Sequence, residues 1–188
     1  MTVVVLPPAA AARSGLPAFD VTTHGGAYRP LSPMLLGPVP LYGGLWSRTM
    51  ENAWQYAKWY PRHAEGDDYW PWARAGWDNP RGVRYPLGKG ARPLCSLWAG
   101  RPLDYVTARQ RIYIPLYAQA VRMHQLDLFS ALEAECARAA LGGRDIALQD
   151  FDAYDHRALG YSWADVLNDP ERKMGHGFVL AMMIEGVL

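Results

Sequence analysis

The chain has 188 residues, enough for one domain with a substantial hydrophobic core. Its formal net charge of +1 gives no electrostatic reason to expect bulk binding to nucleic acid or to a membrane surface, although a local basic patch is compatible with it. The longest apolar stretch, residues 178–188, is too short to span a bilayer, and Pro7 and Pro8 interrupt the apolar N-terminal run. We therefore expect a cytosolic protein without a signal peptide.

The cysteines and histidines do not form a metal-binding pattern. Cys95 and Cys136 lie far apart in the sequence, which favours free thiols in a reducing compartment. The five histidines show neither HxxxH nor HxH spacing, so a dedicated zinc site is not expected. The sequence thus predicts no metal site.

The N-terminal part of the chain is rich in proline and glycine. Residues 1–41 form this segment, and residues 42–188 are expected to form the core of one single domain. Short strands are predicted at residues 3–6 and 18–21. Four prolines between residues 30 and 40 argue against a long helix there.

The next segment predicts a helix over residues 49–60 that ends at Pro61. Glu51, Gln55 and Lys58 would then line one face, at i, i+4 and i+7. Such a face can hold a carboxylate at the edge of a pocket. Helical spacing alone favours an ordinary surface helix, because a glutamate in a first turn complements the helix dipole.

The remaining elements alternate between helices, strands and loops. Residues 62–93 are predicted as a long loop, and a helix is predicted from Pro102 or Leu103 with a kink or break at Pro115. Further along we expect a helix over 126–141, a strand over 145–149, a loop over 151–160, a short helix over 163–167 and a buried helix over 173–186. The predicted fold class is α+β, mainly helical with a few short strands.

Two further polar clusters could contribute to chemistry. Gly88 and Lys89, followed by Arg92, could present backbone amides and cations to a phosphate, although the spacing of a P-loop is absent. Residues 152–156 could supply a second carboxylate, as the oxocarbenium chemistry of glycosidic bonds requires. The alternative for this cluster is an Asx turn in a surface loop.

The order of these clusters resembles the NADAR (YbiA-like) family, over residues 42–187. Four segments carry the resemblance: Thr49–Lys58, Gly88–Leu94 with the following Trp98, the loop 151–156, and the C-terminal helix Arg172–Met183. In the family, the tryptophan that corresponds to Trp98 opens a long helix. The chain departs from the family pattern in the last motif, which lacks the usual asparagine, in the replaced loop 151–156, and in an enlarged stretch over 62–86.

The resemblance implies an N-glycosidase acting on an ADP-ribose-, nucleotide- or riboflavin-precursor-type substrate, including removal of ADP-ribose from guanine. Glu51 would stabilise the oxocarbenium or position water, and Asp152 or Asp155 would be the second acidic group. The implied substrate-binding residues are Gln55, Lys58, Gly88, Lys89, Arg92, Trp98, Lys173 and His176. Trp98 would stack on the base or sugar, and the lysines and arginine would bind phosphates.

No metal or redox cofactor, membrane or obligate protein partner is implied. The implied partner is the substrate alone, a small-molecule or nucleic-acid-linked N-glycoside. The alternative is a non-catalytic module that binds ADP-ribose or a nucleotide, because a pocket can persist after its chemistry is lost.

Overall fold

The computed structural model describes residues 2–66 and 68–188. About 44% of the residues are helical and 13% lie in strands, so the predicted α+β class is confirmed. The helices are α1 (Pro8–Ser14), α2 (Met50–Gln55), α3 (Pro61–Ala64), α4 (Tyr69–Trp77), α5 (Tyr105–Ala108), α6 (Ile114–His124), α7 (Leu126–Ala140), α8 (Trp163–Asn168) and α9 (His176–Ile184). The strands are β1 (Val3–Leu6), β2 (Ala18–Asp20), β3 (Val39–Pro40), β4 (Trp46–Ser47), β5 (Lys58–Trp59), β6 (Cys95–Trp98), β7 (Arg101–Leu103) and β8 (Ile146–Gln149).

The described residues divide into two compact units. The parallel-sheet unit contains the chain up to Ser32 together with Val121–Leu188, and the aromatic unit contains Pro33–Ala120. The predicted N-terminal segment 1–41 does not coincide with either unit, because residues 33–41 belong to the aromatic unit. The assignment of the whole chain to one domain stays a prediction.

The parallel-sheet unit is built on three strands in the order β1–β8–β2, and both outer strands run parallel to β8. All four residues of β1 are buried, as are all nine residues of α9. Continuous apolar runs of this kind are typical of parallel strands covered on both faces. Because the carboxyl ends of parallel strands meet at one edge, the polar residues that follow β2 and β8 come together there.

The aromatic unit combines short antiparallel strands with a cluster of aromatic rings. Strand β3 pairs with β4, and β5–β6–β7 form a second sheet. Tyr56, Tyr69 and Trp77 are buried at the centre of the cluster, where the Tyr69 hydroxyl donates a 2.9 Å hydrogen bond to the Tyr56 carbonyl. The half-buried residues around them are Leu41, Tyr42, Leu45, Trp59, Trp72, Val83 and Leu97.

The helix predicted over residues 49–60 is wrong beyond Gln55. The chain leaves α2 at Tyr56 and enters β5, which pairs with β6 about forty residues later. Local sequence does not report a long-range pairing of this kind. Pro61 does not end a helix but begins α3, because the first helical position needs no N–H donor.

The loop predicted over residues 62–93 is interrupted by helix α4. Asp68 caps this helix by accepting a 3.1 Å hydrogen bond from the Trp70 N–H. Pro71 lies in the first turn, where the missing N–H costs no intrahelical hydrogen bond. The proline is therefore compatible with a helix start within the stretch that is predicted as a loop.

The helix predicted to begin at Pro102 or Leu103 begins later. Both residues lie in β7, and α5 starts after Asp104, whose carboxylate accepts from the Thr107 N–H at 2.9 Å. A π-helical turn over Arg109–Tyr113 lies between α5 and α6, and the helical backbone continues through Pro115 in the first turn of α6. The predicted break at Pro115 is therefore not observed, and a kink there stays a prediction.

The elements of the parallel-sheet unit agree best with the sequence. Strands β1, β2 and β8, helices α7 and α8 and the loop over 151–160 lie where they are predicted. The C-terminal helix is buried as expected, but it begins at His176, three residues later than predicted.

Candidate functional site

Glu51 is held at a fixed position in the first turn of α2. The Thr49 hydroxyl caps the helix by accepting from the Asn52 N–H at 3.1 Å, and the Glu51 N–H donates to the Pro33 carbonyl at 2.9 Å. The residue is only 8% exposed. A carboxylate at this end of a helix also interacts favourably with the helix dipole.

A chain of hydrogen bonds joins Glu51 to two other predicted site residues. The Gln55 Nε2 donates to Glu51 Oε1 at 2.8 Å, and the Lys58 Nζ donates to Gln55 Oε1 at 2.6 Å. Because an ammonium group can only donate, Lys58 fixes which end of the Gln55 amide faces Glu51. The three residues therefore act as one oriented unit.

Lys58 reaches this chain from a strand and not from the predicted helix face. It lies in β5 directly opposite Ser96. Its neighbour Trp59 packs in the aromatic cluster, so the alternation of a strand turns Lys58 to the other face of the sheet. The Lys58 ammonium also lies 5.3 Å from the ring centre of Trp54, a cation–π distance.

Asn52 is a structural partner of this site that the sequence analysis missed. It is fully buried, and its Nδ2 donates to the carbonyls of Asn79 and Arg81 at 2.9 Å each. Its Oδ1 accepts from the Val83 N–H at 2.8 Å. The amide thus ties the segment 79–83 to the helix that carries Glu51. A lone asparagine inside a helix gives no sequence pattern that would predict this.

Gly88, Lys89 and Arg92 lie in an exposed turn. The Gly88 N–H donates to the Tyr85 carbonyl at 2.9 Å, and the Ala91 N–H donates to the Gly88 carbonyl at 3.2 Å. These two amides are used within the turn, unlike those of a phosphate-binding loop. Of the groups predicted to bind a phosphate here, the exposed side chains of Lys89 and Arg92 remain available to do so.

Trp98 ends strand β6. The family resemblance implies that this tryptophan opens a long helix, and it does not. The hairpin turns at Ala99 and Gly100, which have φ values of 49° and 76°. The half-buried Trp98 ring meets Tyr42 edge to face at 4.7 Å. Burial raises the pKa of Tyr42, opposed by the Ala99 backbone and the charge of Arg74. This hairpin tip is therefore packed against Tyr42.

In the parallel-sheet unit, Asp150 and His176 form a buried pair at the carboxyl edge of the sheet. Asp150 Oδ2 lies 3.1 Å from His176 Nδ1 and accepts from the Gly177 N–H at 2.8 Å. His176 Nε2 lies 2.8 Å from the Val21 carbonyl oxygen. Both ring nitrogens face acceptors, so the geometry fits a protonated imidazole paired with the carboxylate.

The electrostatics of Asp150 agree with that pairing. Burial alone raises the pKa of its carboxyl, but the charge and hydrogen bond of His176, with the N–H groups of Gly177 and Asp152, lower it to about 2. The neighbouring Gly175 permits the approach, because a Cβ there would lie 2.1 Å from Asp150 Oδ2. The substrate-binding role of His176 stays a prediction, and a ligand would compete with Asp150 or Val21 for its ring.

The two acidic candidates of the loop 151–160 differ in their surroundings. Asp155 Oδ1 accepts a 2.9 Å hydrogen bond from the Ala158 N–H, which is the surface-turn arrangement considered as an alternative. Asp152 Oδ1 instead lies 3.8 Å from Lys173 Nζ, and its side chain is 30% exposed. The structure thus brings two predicted site residues together, Asp152 and Lys173.

Within residues 2–66 and 68–188, no group of three or more histidine, cysteine or acidic side chains is placed to hold a metal ion. None of the helices in that part of the chain is long and apolar enough to cross a membrane.

Comparison with known proteins adds no family or fold assignment. No protein-family model, curated protein or solved structure matches the chain. The resemblance to the NADAR family therefore stays a prediction that rests on the sequence segments named above.

Proposed function

We propose that the chain hydrolyses an N-glycosidic bond and that Glu51 is its first catalytic carboxylate. The observation that carries the proposal is the hydrogen-bonded chain from Glu51 through Gln55 to Lys58. An acid, an amide and a base that are held together in this way form a preorganised group. The family resemblance, which rests in part on the segment Thr49–Lys58, implies roles for the same three residues.

The chemistry follows from the placement of Glu51. When the bond between a sugar and a base breaks, positive charge develops at the anomeric carbon. A carboxylate held in a nearly buried position stabilises that charge more strongly than one in water, because the local dielectric is low. The same carboxylate can instead accept the proton of an attacking water. Gln55 serves as a positioning residue, since it binds Glu51 Oε1.

The other predicted residues fit the substrate to this chemistry. Trp98 offers a half-buried ring for stacking, and exposed Lys89 and Arg92 suit phosphate groups. Asp152 and Asp155 stay the two candidates for the second acidic group. Asp155 accepts a backbone hydrogen bond within its own turn, and Asp152 lies 3.8 Å from the Lys173 ammonium.

The test compares base release by wild type and by Glu51→Gln, using mass spectrometry. Candidate substrates are ADP-ribosylated guanosine, NAD-derived N-glycosides and riboflavin-precursor N-glycosides. The substitution keeps an oxygen that can accept from Gln55 but removes the charge, so we expect release to fall by about 10²- to 10⁴-fold. Glu65→Gln, an exposed acid of the same unit, is the matched control and should release base at the wild-type rate. Full activity in Glu51→Gln would rule out this assignment.

The second candidate function is a binding module without catalysis. It is favoured by the loop 151–156, where the family motif is replaced and an Asp155 oxygen accepts a backbone hydrogen bond within its own turn. In that case wild type binds one of these ligands, as measured by calorimetry, without releasing base. Measurable release that depends on Glu51 excludes the module.

A further inference from the structure

The aromatic unit contains an open pocket that none of the predicted site residues lines. Its volume is about 680 Å³, within the range of small-molecule sites. Its described lining residues are Tyr42, Gly43, Leu45, Asp68, Trp70, Pro71 and Arg74. Residues 68–74 lie within residues 62–86, a stretch in which the chain departs from the NADAR pattern.

Two elements build the pocket and place its polar groups. The turn between β3 and β4 supplies Tyr42 and Gly43, and Gly43 has a φ of 61° that suits glycine. Helix α4 and its N-cap supply Asp68, Trp70, Pro71 and Arg74. Trp70 and Arg74 are four positions apart on this helix and so share one face. Among its described lining residues, the pocket thus has aromatic walls, one carboxylate and one guanidinium.

Trp70, Asp68 and Arg74 can each make a different kind of contact with a ligand. Trp70 is 38% exposed, which leaves ring area for stacking. Asp68 uses Oδ1 to cap the helix at the Trp70 N–H, and its Oδ2 can accept a further hydrogen bond. Arg74 can bind a phosphate through two parallel N–H groups.

We propose that this pocket binds a nucleotide whose base carries adjacent N–H donors, as guanine does. The base would stack on Trp70 beside Tyr42, Asp68 would accept from the N–H edge of the base, and Arg74 would bind the phosphate. This site is separate in its residues from Glu51 and does not depend on the proposed hydrolysis. The shared chemistry is that of a guanine nucleotide, either free or within a single strand.

The contacts of Tyr42 provide a direct readout. Its ring lies 4.7 Å from Trp98 and 6.3 Å from Trp77, both edge to face. A base that packs against Tyr42 and Trp70 therefore changes the surroundings of three tryptophans. Titration of wild type with GMP should change the intrinsic tryptophan fluorescence in a saturable way.

The experiment measures the dissociation constants of GMP, AMP, guanosine and inorganic phosphate by this fluorescence change. We expect GMP to bind at least tenfold more tightly than AMP or guanosine. Trp70→Leu and Arg74→Gln should each weaken GMP binding about tenfold or more, because one stacked base or one charged hydrogen bond is worth that factor. Asp68→Asn, which retains the helix cap, should abolish the preference for GMP over AMP.

Matched controls separate the pocket from general effects of losing a ring or a charge. Trp46→Leu removes a tryptophan that is 52% exposed and does not line the pocket, and Arg13→Gln removes an exposed charge of the other unit. Both controls should bind GMP as wild type does. Equal weakening in the controls, or no saturable GMP binding by folded wild type, would overturn the proposal.

Two further arms separate the source of the nucleotide and the proposed catalysis. A single-stranded hexanucleotide with one guanine, compared with GMP, shows whether the pocket prefers a strand or a free nucleotide. The Glu51→Gln protein should bind GMP as wild type does. Failure of GMP binding leaves the base-release test of Glu51 unaffected, and loss of hydrolysis leaves the pocket measurement unaffected.

Discussion

At Asp150, burial and pairing act in opposite directions on one carboxyl. Burial favours the neutral acid, while His176 and two backbone N–H groups favour the carboxylate and lower its pKa to about 2. The contacts of Asp150 therefore stabilise the fold only while its carboxyl group is ionised. The pair closes the carboxyl edge of the parallel sheet against the start of α9, so its charge state bears on the stability of that unit.

We therefore predict that acid destabilises the protein through Asp150. The pKa is about 2 in the folded chain and 3.8 in the reference state, so the contribution is present above about pH 4 and is lost as the pH falls towards 2. Its size is about 2 kcal/mol of unfolding free energy. The measurement is urea unfolding at a series of pH values from 6 to 2.5.

Two Asp-to-Asn substitutions test this prediction: Asp150→Asn at the buried pair, and Asp145→Asn as the control at an exposed position. Asp150→Asn should be less stable at pH 6, because it removes the negative charge that pairs with His176, and should lose stability less steeply in acid. Asp145→Asn, at an exposed residue, should follow the wild-type curve. An acid curve for Asp150→Asn that parallels wild type would show that other carboxyls govern the effect.

Residue types predicted some of the candidate site and not the rest. Glu51, Gln55 and Lys58 could be named because their spacing places them close together, even though Lys58 arrives from a strand. Asn52 could not be named, because its three partners lie about thirty residues later in the chain. A buried amide is identified by its partners, and those are set by tertiary structure.

At the scale of elements, the sequence predicts local features better than long-range pairing. Helices α7 and α8 and the strands of the parallel sheet follow from apolar periodicity. Strands β5 and β6 were missed because each is short and is stabilised by the other across the chain. The same absence of long-range information made the predicted α2 too long, whereas α4 was missed because its local start signals, the Asp68 cap and Pro71, were not recognised.

Helix α4 offers a test of element packing at Gly76. A Cβ at this position would lie 2.0 Å from the Tyr56 ring, which is itself buried against Trp72 at 4.7 Å between ring centres. We predict that Gly76→Ala lowers the unfolding free energy by about 2–3 kcal/mol, because overpacking outweighs the better helix propensity of alanine. Urea unfolding at neutral pH measures this change.

Gly142→Ala is the matched substitution for Gly76→Ala. The nearest atom to a Cβ at Gly142 is the Arg144 Nε, at 3.8 Å, which is ordinary contact. Its effect should stay within about 0.5 kcal/mol, as for most surface changes. Equal effects at the two glycines would contradict the close packing of α4 on Tyr56.

At the scale of the whole molecule, a net charge near zero conceals two units of opposite charge. The aromatic unit carries eleven lysines and arginines against six acidic residues, a net charge of +5. The parallel-sheet unit carries eight against twelve, a net charge of −4. Residues 79–103 contain five basic residues and no acidic one. The total of +1 therefore does not argue against binding of anions by the aromatic unit.

This segregation predicts retention on a cation exchanger at pH 7 despite the low net charge. Replacing Lys89, Arg92 and Arg101 by glutamine should lower the eluting salt concentration markedly, because all three are exposed in the basic segment. Replacing Arg13, Arg29 and Arg144, which are exposed in the other unit, changes the net charge equally, from +1 to −2. That control should elute close to wild type if the basic segment governs retention. Equal shifts in the two triple variants would mean that only the total charge matters.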